Sequence, residues 1–528
     1  MAMALALSQQ QPENEPSASV SMVRDLLDKS VLPIFTLDND STTYPFVDLW
    51  GLPHASPVRI EKLCAMLPSD SECLQHVRQY RDTAHVLFPA IVNMHQFESE
   101  VTRFLVTRTT QTADPAPLPL TEQNVYGKTV HWLGLLFACL ASGYQCSNLS
   151  RRERQLTSQV YVCCAYECLR IVNYLSCSQL DDIQNLLVLG NVISNSMNAG
   201  IAWALLGLTI RLAQGMGLHH EPLSRDLPSE ERILRHEIWS RIIWQDSLLS
   251  ISYDRATPTA NLTRWDTPHL APPGDGFSYT ECMLQLCTIA LDVVGSRTQR
   301  TSFQRELQRI EERRREVEAI SQQAQAHLRE PSACALMKDH LEHWNWRLHR
   351  SYVVSELCRP MLAKQREHHH HHSHGHGHGN SDVVVATLRR VCIDALVDTV
   401  DAFAKLQNLT AFARTSWAAV HRSLGSALLL GILGEPARSE RVRLMLDQLV
   451  AVMLSFEYAD ASEMPGPVTR AVEALQRFNI QDGAAGGDDG SQASQGSSPY
   501  AQMERILWGA DLRLSTTWGS DGVADELL

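Results

Sequence analysis

Apolar positions recur along this chain at helical spacing. Val160, Cys163, Cys164, Cys168, Ile171 and Leu175 form one stripe, and Ile183, Leu186, Leu187, Val192 and Ile193 form the next. Asp181 and Asp182 stand where the second stripe begins, a place where negative charge suits the helix dipole. Strand-like alternation is scarce and β-branched runs are short. The pattern predicts an all-α protein, a large multi-helix bundle of antiparallel helix pairs joined by short connections and interrupted by disordered loops.

Four breaks punctuate the helical pattern. Residues 109–122 hold three prolines and no periodicity, which predicts a linker or surface loop. Residues 254–277 contain Pro258, Pro268, Pro272 and Pro273, and a connection that long is expected to be mobile or functional. Residues 367–381, EHHHHHSHGHGHGNS, are of low complexity. Residues 481–499 are dominated by Gly, Ser, Asp and Gln, which bury no core. The domain reading is a disordered N-terminus (1–19), a helical body (20–480) with a His-rich disordered insertion (367–381), and an acidic, largely disordered tail (481–528).

The densest pattern lies at 199–255. Ala199, Trp203, Leu206, Ile210 and Ala213 mark one face of a helix, and Ala202, Leu205, Leu212 and Met216 mark another. A helix apolar on two faces is expected between neighbours. Gly200 and Gly207 weaken helix propensity and suggest a close backbone approach. Gly217 is the candidate for a left-handed cap. His219 and His220 follow it, placed to donate to the last carbonyls or, with ligands from elsewhere, to hold a metal or effector. A second helix opens near Ser229 as N-cap, with Glu230 and Glu231 in its first turn. Trp239, Ile242, Ile243, Asp246, Leu249 and Tyr253 share one of its faces. A carboxylate in such a stripe needs a partner. Arg211 is the expected one, with Arg255 next.

This block resembles the signature of the fungal-specific transcription factor domain, the middle homology region of fungal zinc-cluster regulators. The matching residues are Ala202, Trp203, Gly207, Arg211, Ala213, Gly217, Leu218, His219, Arg235, Trp239, Trp244 and Asp246. After the second helix many members read Gly-Arg-Pro, whereas this chain reads Asp254-Arg255-Ala256. The resemblance implies a non-enzymatic nuclear regulator whose helical region receives a signal and controls target genes, commonly a metabolic or secondary-metabolite cluster. It implies a DNA-bound transcription factor or the transcription machinery as partner, or a DNA-binding domain missing from this chain. A small-molecule effector and a homo- or heterodimer are further options. The rival reading is an all-α small-molecule-binding protein or enzyme with a pocket at the 254–277 loop near Trp265 and His269.

Charge and cysteine spacing limit how such a protein would meet DNA. The formal net charge is −13, so the average surface repels a polyanion and DNA contact must be local or delegated. The family's zinc cluster needs two C-x-x-C pairs, and the 13 cysteines include none. Zinc is therefore not expected here, nor any other cofactor, and direct DNA contact is left open. Cys164 and Cys168 share a helix face, but two thiols close no structural zinc site.

The remaining candidates are weaker. Eight of the 22 histidines fall at 368–378, where alternation with glycine fixes no metal geometry. Arg313, Arg314 and Arg315 lie among acids at helical spacing, which predicts a solvated face before a phosphate or nuclear-import contact. In the tail, Trp508, Leu512, Trp518 and Leu527 are interspersed with acids, which suits activation-segment contacts as well as a helix folding back on the body. The longest apolar run, Trp132 to Leu140, is far short of the ~20 residues a membrane helix needs.

Overall fold

The computed structural model describes residues 57–483, apart from residue 117 and the segments 221–226, 298–300, 364–378 and 455–465, and apart from 254–275 except Arg255 and Thr259. Among the described residues the architecture is all-α, with isolated β-bridges and no strand. The principal helices run α1 Pro57–Ala65, α2 Asp70–Gln79, α3 Met94–Ala113, α4 Val130–Gln145, α5 Arg151–Ile171, α6 Leu180–Asn195, α7 Ala199–Gly215 and α8 Ser229–Tyr253. They continue as α9 Tyr279–Arg297, α10 Phe303–Gln323, α11 Met337–Cys358, α12 Gly379–Leu409, α13 Trp417–Ile432, α14 Glu440–Leu454 and α15 Gly466–Gly483.

Helix α4 is the hub, and its sequence says why. VHWLGLLFACLASGY is apolar all round, and every residue from Val130 to Tyr144 is buried. It packs against α2, α5 and α6. Its glycines allow this. A Cβ at Gly143 would stand 2.2 Å from the His76 carbonyl oxygen, and one at Gly134 would stand 2.8 Å from the Asn185 amide and 3.0 Å from Cys168 Cβ. Cys164 and Cys168 fill the seam on α5 as small buried side chains. Beyond this hub, α8 packs on α9, α9 on α11, and α11 lies along α12. Apolar side chains from α9 to α15 form a second core, joined to the first through Met197, Trp344 and Val354.

The predicted loop at 109–122 begins later than its composition suggested, because α3 continues to Ala113. The threonines of this stretch are kept helical by returning their hydroxyls to carbonyls one turn back: Thr107 to Arg103 (2.9 Å), Thr109 to Leu105 (3.1 Å), Thr110 to Val106 (2.8 Å) and Thr112 to Arg108. Arg108 and Thr109 also bond Asp70 on α2, which ties the end of α3 down. Helix α7 departs from expectation too. Its buried face is Ala202, Leu206, Thr209, Ile210 and Ala213, while Trp203, Leu205, Leu208 and Leu212 are half-buried and Ile201 is exposed. It packs on α6 and α8.

The Arg313–Arg315 run forms ion pairs within the helical surface, with Arg313 on Asp292 (2.9 Å) and Glu316 (2.7 Å) and Arg315 on Glu311 (3.3 Å). Residues 367–378 of the histidine tract, the N-terminus and the tail with Trp508, Leu512, Trp518 and Leu527 lie outside the described residues. Residues 379–381, expected within the insertion, open α12.

Candidate functional site

The 199–255 block is held by a few specific contacts. Gly217 adopts φ +73°, a conformation that favours glycine. The Leu218 N–H reaches the Ala213 carbonyl (3.0 Å) and the Gly217 N–H reaches that of Gln214 (3.0 Å), the two bonds of a Schellman ending. The predicted left-handed cap is therefore present. The carbonyl of Met216 is met by Arg235 Nη1 from α8 (3.2 Å), while Arg235 Nε is held by Glu231 (3.1 Å). Arg235 thus clamps the end of α7 with its positive charge at the negative pole of the dipole. His219, expected to donate there, instead sets its ring 5.9 Å from Trp239 and 3.7 Å from His220. Burial, then His220, lowers the His219 pKa.

The tryptophans are architecture. Trp239 and Trp244 are fully buried, and Trp244 meets Phe88 and Tyr279 edge-on at 5.7 Å each. Trp203 is half-buried beneath the Arg255 guanidinium, 4.6 Å from its ring. Arg255 also covers Tyr253 at 4.8 Å. The expected Arg211–Asp246 pair does not form. Arg211 is exposed and bonds Gln214 (3.1 Å). Asp246, 1% exposed, accepts from Ser250 one turn on (3.2 Å) and from Thr259 in the following connection (2.5 Å). Charge-assisted hydroxyl bonds serve where a guanidinium was expected, because Arg211 points to the solvent side of α7. Gly207 has open space at its Cβ position, as does Gly200, so neither marks a close approach. Trp265 and His269, offered as the border of a pocket, lie outside the described residues.

A cleft of about 420 Å³ lies elsewhere, where α3, α4 and the first turn of α6 converge and Leu234 of α8 closes one side. Ile91, Phe97, Trp132, Leu135 and Leu234 give it apolar walls, and Gln96, Glu100, Gln123, Lys128, Asp181 and Gln184 give it polar ones. Lys128 Nζ pairs with Glu100 (2.8 Å) and stands 5.2 Å from the Trp132 ring. Burial would raise the Glu100 pKa, but bonds from Lys128 and Gln96 hold it below the usual carboxylate range. Gln184 Oε1 accepts from the Val92 N–H (2.9 Å), which fixes that wall.

Two adjacent carboxylates at the start of α6 have different duties. Asp182 is fully buried and accepts from the Gln179 N–H (2.9 Å) and from His131 Nδ1 (2.7 Å). It closes the helix start and positions α4 against α6. Asp181 faces the cleft, and its pKa is pushed up to about 6 by burial and by Asp182. Both residues were legible as helix-start acids. The division between them was not, because it depends on His131 and Glu100 arriving from other helices. Among the described residues no three His, Cys, Asp or Glu side chains gather as a metal site.

Comparison with known proteins places this geometry in context. Residues 80–272 match the family model described as the fungal specific transcription factor domain. That span includes the whole cleft lining and the helix pair. A solved structure titled "Structure of the K. lactis CBF3 core" is similar at 13% identity and TM-score 0.46, over 84% of this chain and 86% of that one. No curated protein sequence matches.

Proposed function

We propose that this chain, with a fungal specific transcription factor domain at its centre, is a nuclear regulator that controls target-gene expression through a DNA-bound partner. The family match over 80–272 carries this reading. The net charge of −13 supports DNA contact made outside this helical body. The helix pair serves as scaffold, and the cleft beside it is where a signal enters.

Chromatin immunoprecipitation in cells with and without a candidate DNA-binding partner, combined with transcript profiling after deletion, tests the proposal. The expected result is occupancy that disappears with the partner, altered transcripts on deletion, and no retardation of DNA by the purified protein. Partner-independent occupancy with direct retardation would replace the partner model. No occupancy and no transcript change would end the transcription reading.

A further inference from the structure

We infer that the outward side of α7 is a docking surface for the chain's own C-terminal segment 503–514, with the apolar stripe of that segment laid along it and Glu504 and Asp511 set beside Arg211. The inference does not depend on the regulator reading. An open apolar side, a matching segment and a sufficient reach support it.

Helix α7 holds Arg211 as its one charged side chain. Ile201, Ala204, Leu205, Leu208 and Leu212 fall at i, i+3, i+4, i+7 and i+11 and so share one side. Ile201 is 61% exposed, Ala204 is exposed and the three leucines are half-buried, so this side is turned away from the core that Ala202, Leu206 and Ala213 enter. Arg211 borders the stripe, exposed and bonded to Gln214 of the same helix (3.1 Å). A continuous exposed apolar patch marks an interaction site, whereas scattered single side chains do not. The chain as a whole carries −13, yet this side offers one cation and no acid, so it favours an apolar occupant with acids on its edge.

The chain holds such a segment. Residues 503–514 read MERILWGADLRL. Met503, Ile506, Leu507, Ala510 and Leu514 repeat the spacing i, i+3, i+4, i+7 and i+11, so as a helix the segment presents the same five-position stripe as α7. Glu504 and Asp511 are seven apart and border that stripe on one edge. Trp508 and Leu512 fall on the opposite side and take no part in the contact. An amphipathic helix laid by its apolar side against an apolar surface is a recurring mode of recognition.

The segment also reaches. Helix α15 ends at Gly483, and the 19 residues 484–502 separate it from the segment. Helix α15 packs on α13, α13 touches α6 and α8, and α7 lies on both of these. Three steps between packed helices span roughly 24–30 Å. A Gly/Ser-rich stretch of 19 residues spans about 22–26 Å on average and more than twice that when extended. The segment therefore meets α7 of its own molecule without strain, and a partner that uses either surface must displace the other.

The full chain tests this. Ile201→p-benzoylphenylalanine places a photo-crosslinker at an open position, and mass spectrometry should find it joined to residues 503–514 of the same molecule. Hydrogen exchange of α7 gives the second readout. Leu507→Asp with Leu514→Asp should speed exchange across 201–212 by about tenfold or more, because two leucines leave an apolar contact. Trp508→Ser with Leu512→Ser should leave it unchanged. Arg211→Glu should speed exchange by about two- to fivefold, and adding Glu504→Arg and Asp511→Arg should restore the slower rate. The tail substitutions lie outside the helical body, and circular dichroism verifies that the Arg211→Glu chain is folded. Crosslinks to residues 1–56, to any other segment or only between two molecules would overturn the inference. So would unchanged exchange in the chain with Leu507→Asp and Leu514→Asp, or an Arg211→Glu effect that the paired reversals do not relieve.

Discussion

Asp246 on α8 and Arg422 on α13 are both buried charges, and they are accommodated in opposite ways. Asp246 accepts from two hydroxyls, Ser250 and Thr259, on its own helix and the connection after it. Arg422 is fully buried, and its Nη1 donates to His349 Nδ1, while its Nε and Nη2 have no partner. Its other neighbours are a Tyr352 ring 4.7 Å away and His421 beside it in the chain. Burial brings the Arg422 pKa down to about 10. The nearby Glu356 is engaged by Arg297 (2.6 Å) and Arg359 (3.1 Å). A carboxylate is readily served by small hydroxyl side chains within a few residues. A guanidinium with five donors needs acceptors from several directions, and an apolar helix such as α13 supplies few. The first charge therefore stabilises its surroundings, and the second taxes them.

Removing each charge tests that contrast, and the larger effect is expected at Asp246. Asp246→Leu takes away the acceptor of both hydroxyls in a buried setting. Leaving buried donors unmade costs about 1–3 kcal/mol each, so a loss of about 3 kcal/mol is expected in urea unfolding. A loss below about 1 kcal/mol, within the range of an ordinary surface change, would show that the hydroxyl bonds do not matter.

Acid should weaken the Arg422 region next. His421 is lowered to about 4 by burial and then by Arg422, and His349 is lowered well below its usual value by the same two causes. His85, in the first core, is lowered to about 4 by burial. A depressed folded pKa gives stability that is present above about pH 6.5 and lost as pH falls towards 4, with an upper figure of about 3 kcal/mol for each of His421 and His85. Asp181 acts in the opposite sense. Its raised pKa is a penalty present above 6 and relieved in acid, but it is one group against three. The melting temperature should therefore fall between about pH 6.5 and 4. A flat profile would mean that these imidazoles are hydrated rather than buried.

Arg422→Met separates the two buried charges by sign. Replacing an incompletely paired buried ion by an apolar side chain of similar volume is often neutral or stabilising, and a gain of about 1–2 kcal/mol is expected. A loss of more than about 2 kcal/mol would show that Nε and Nη2 are satisfied by ordered water in solution, and the contrast with Asp246 would fail.

What was legible in the sequence follows the same division between local and distant partners. The presence of the two helices, the start of the second near Ser229, the Gly217 ending and the apolar face that carries Trp239 and Asp246 are all set by residues a few positions apart. The partner of Asp246 was missed because Thr259 lies in a proline-rich connection where helical periodicity says nothing. Arg235 was read as a motif residue, yet its target is a backbone carbonyl, Met216 O, which no side-chain pattern reveals. The cleft gathers residues 91–135, 179–184 and 234, so no single stretch could display it. Likewise an arginine is visible inside the apolar run 417–432, but nothing along the chain sets His349 against it.

The smallest expected effects concern two glycines of the signature helix, and they ask whether this block is determined by local geometry, as Asp246 implies. Gly217 has φ +73°, so Gly217→Ala places a Cβ in the left-handed region and should lose about 1 kcal/mol. Gly207 lies inside α7 with no positive φ and nothing within 4 Å of a Cβ, so Gly207→Ala should gain up to about 1 kcal/mol through helix propensity. The two substitutions are chemically identical and ten residues apart, so opposite signs would tie the block to backbone geometry. If Gly207→Ala gains stability in the purified chain but impairs regulation in cells, the half-buried side of α7 meets a partner there. If it loses stability in the purified chain, another part of the same molecule covers that side, and the helix is buried on two faces after all.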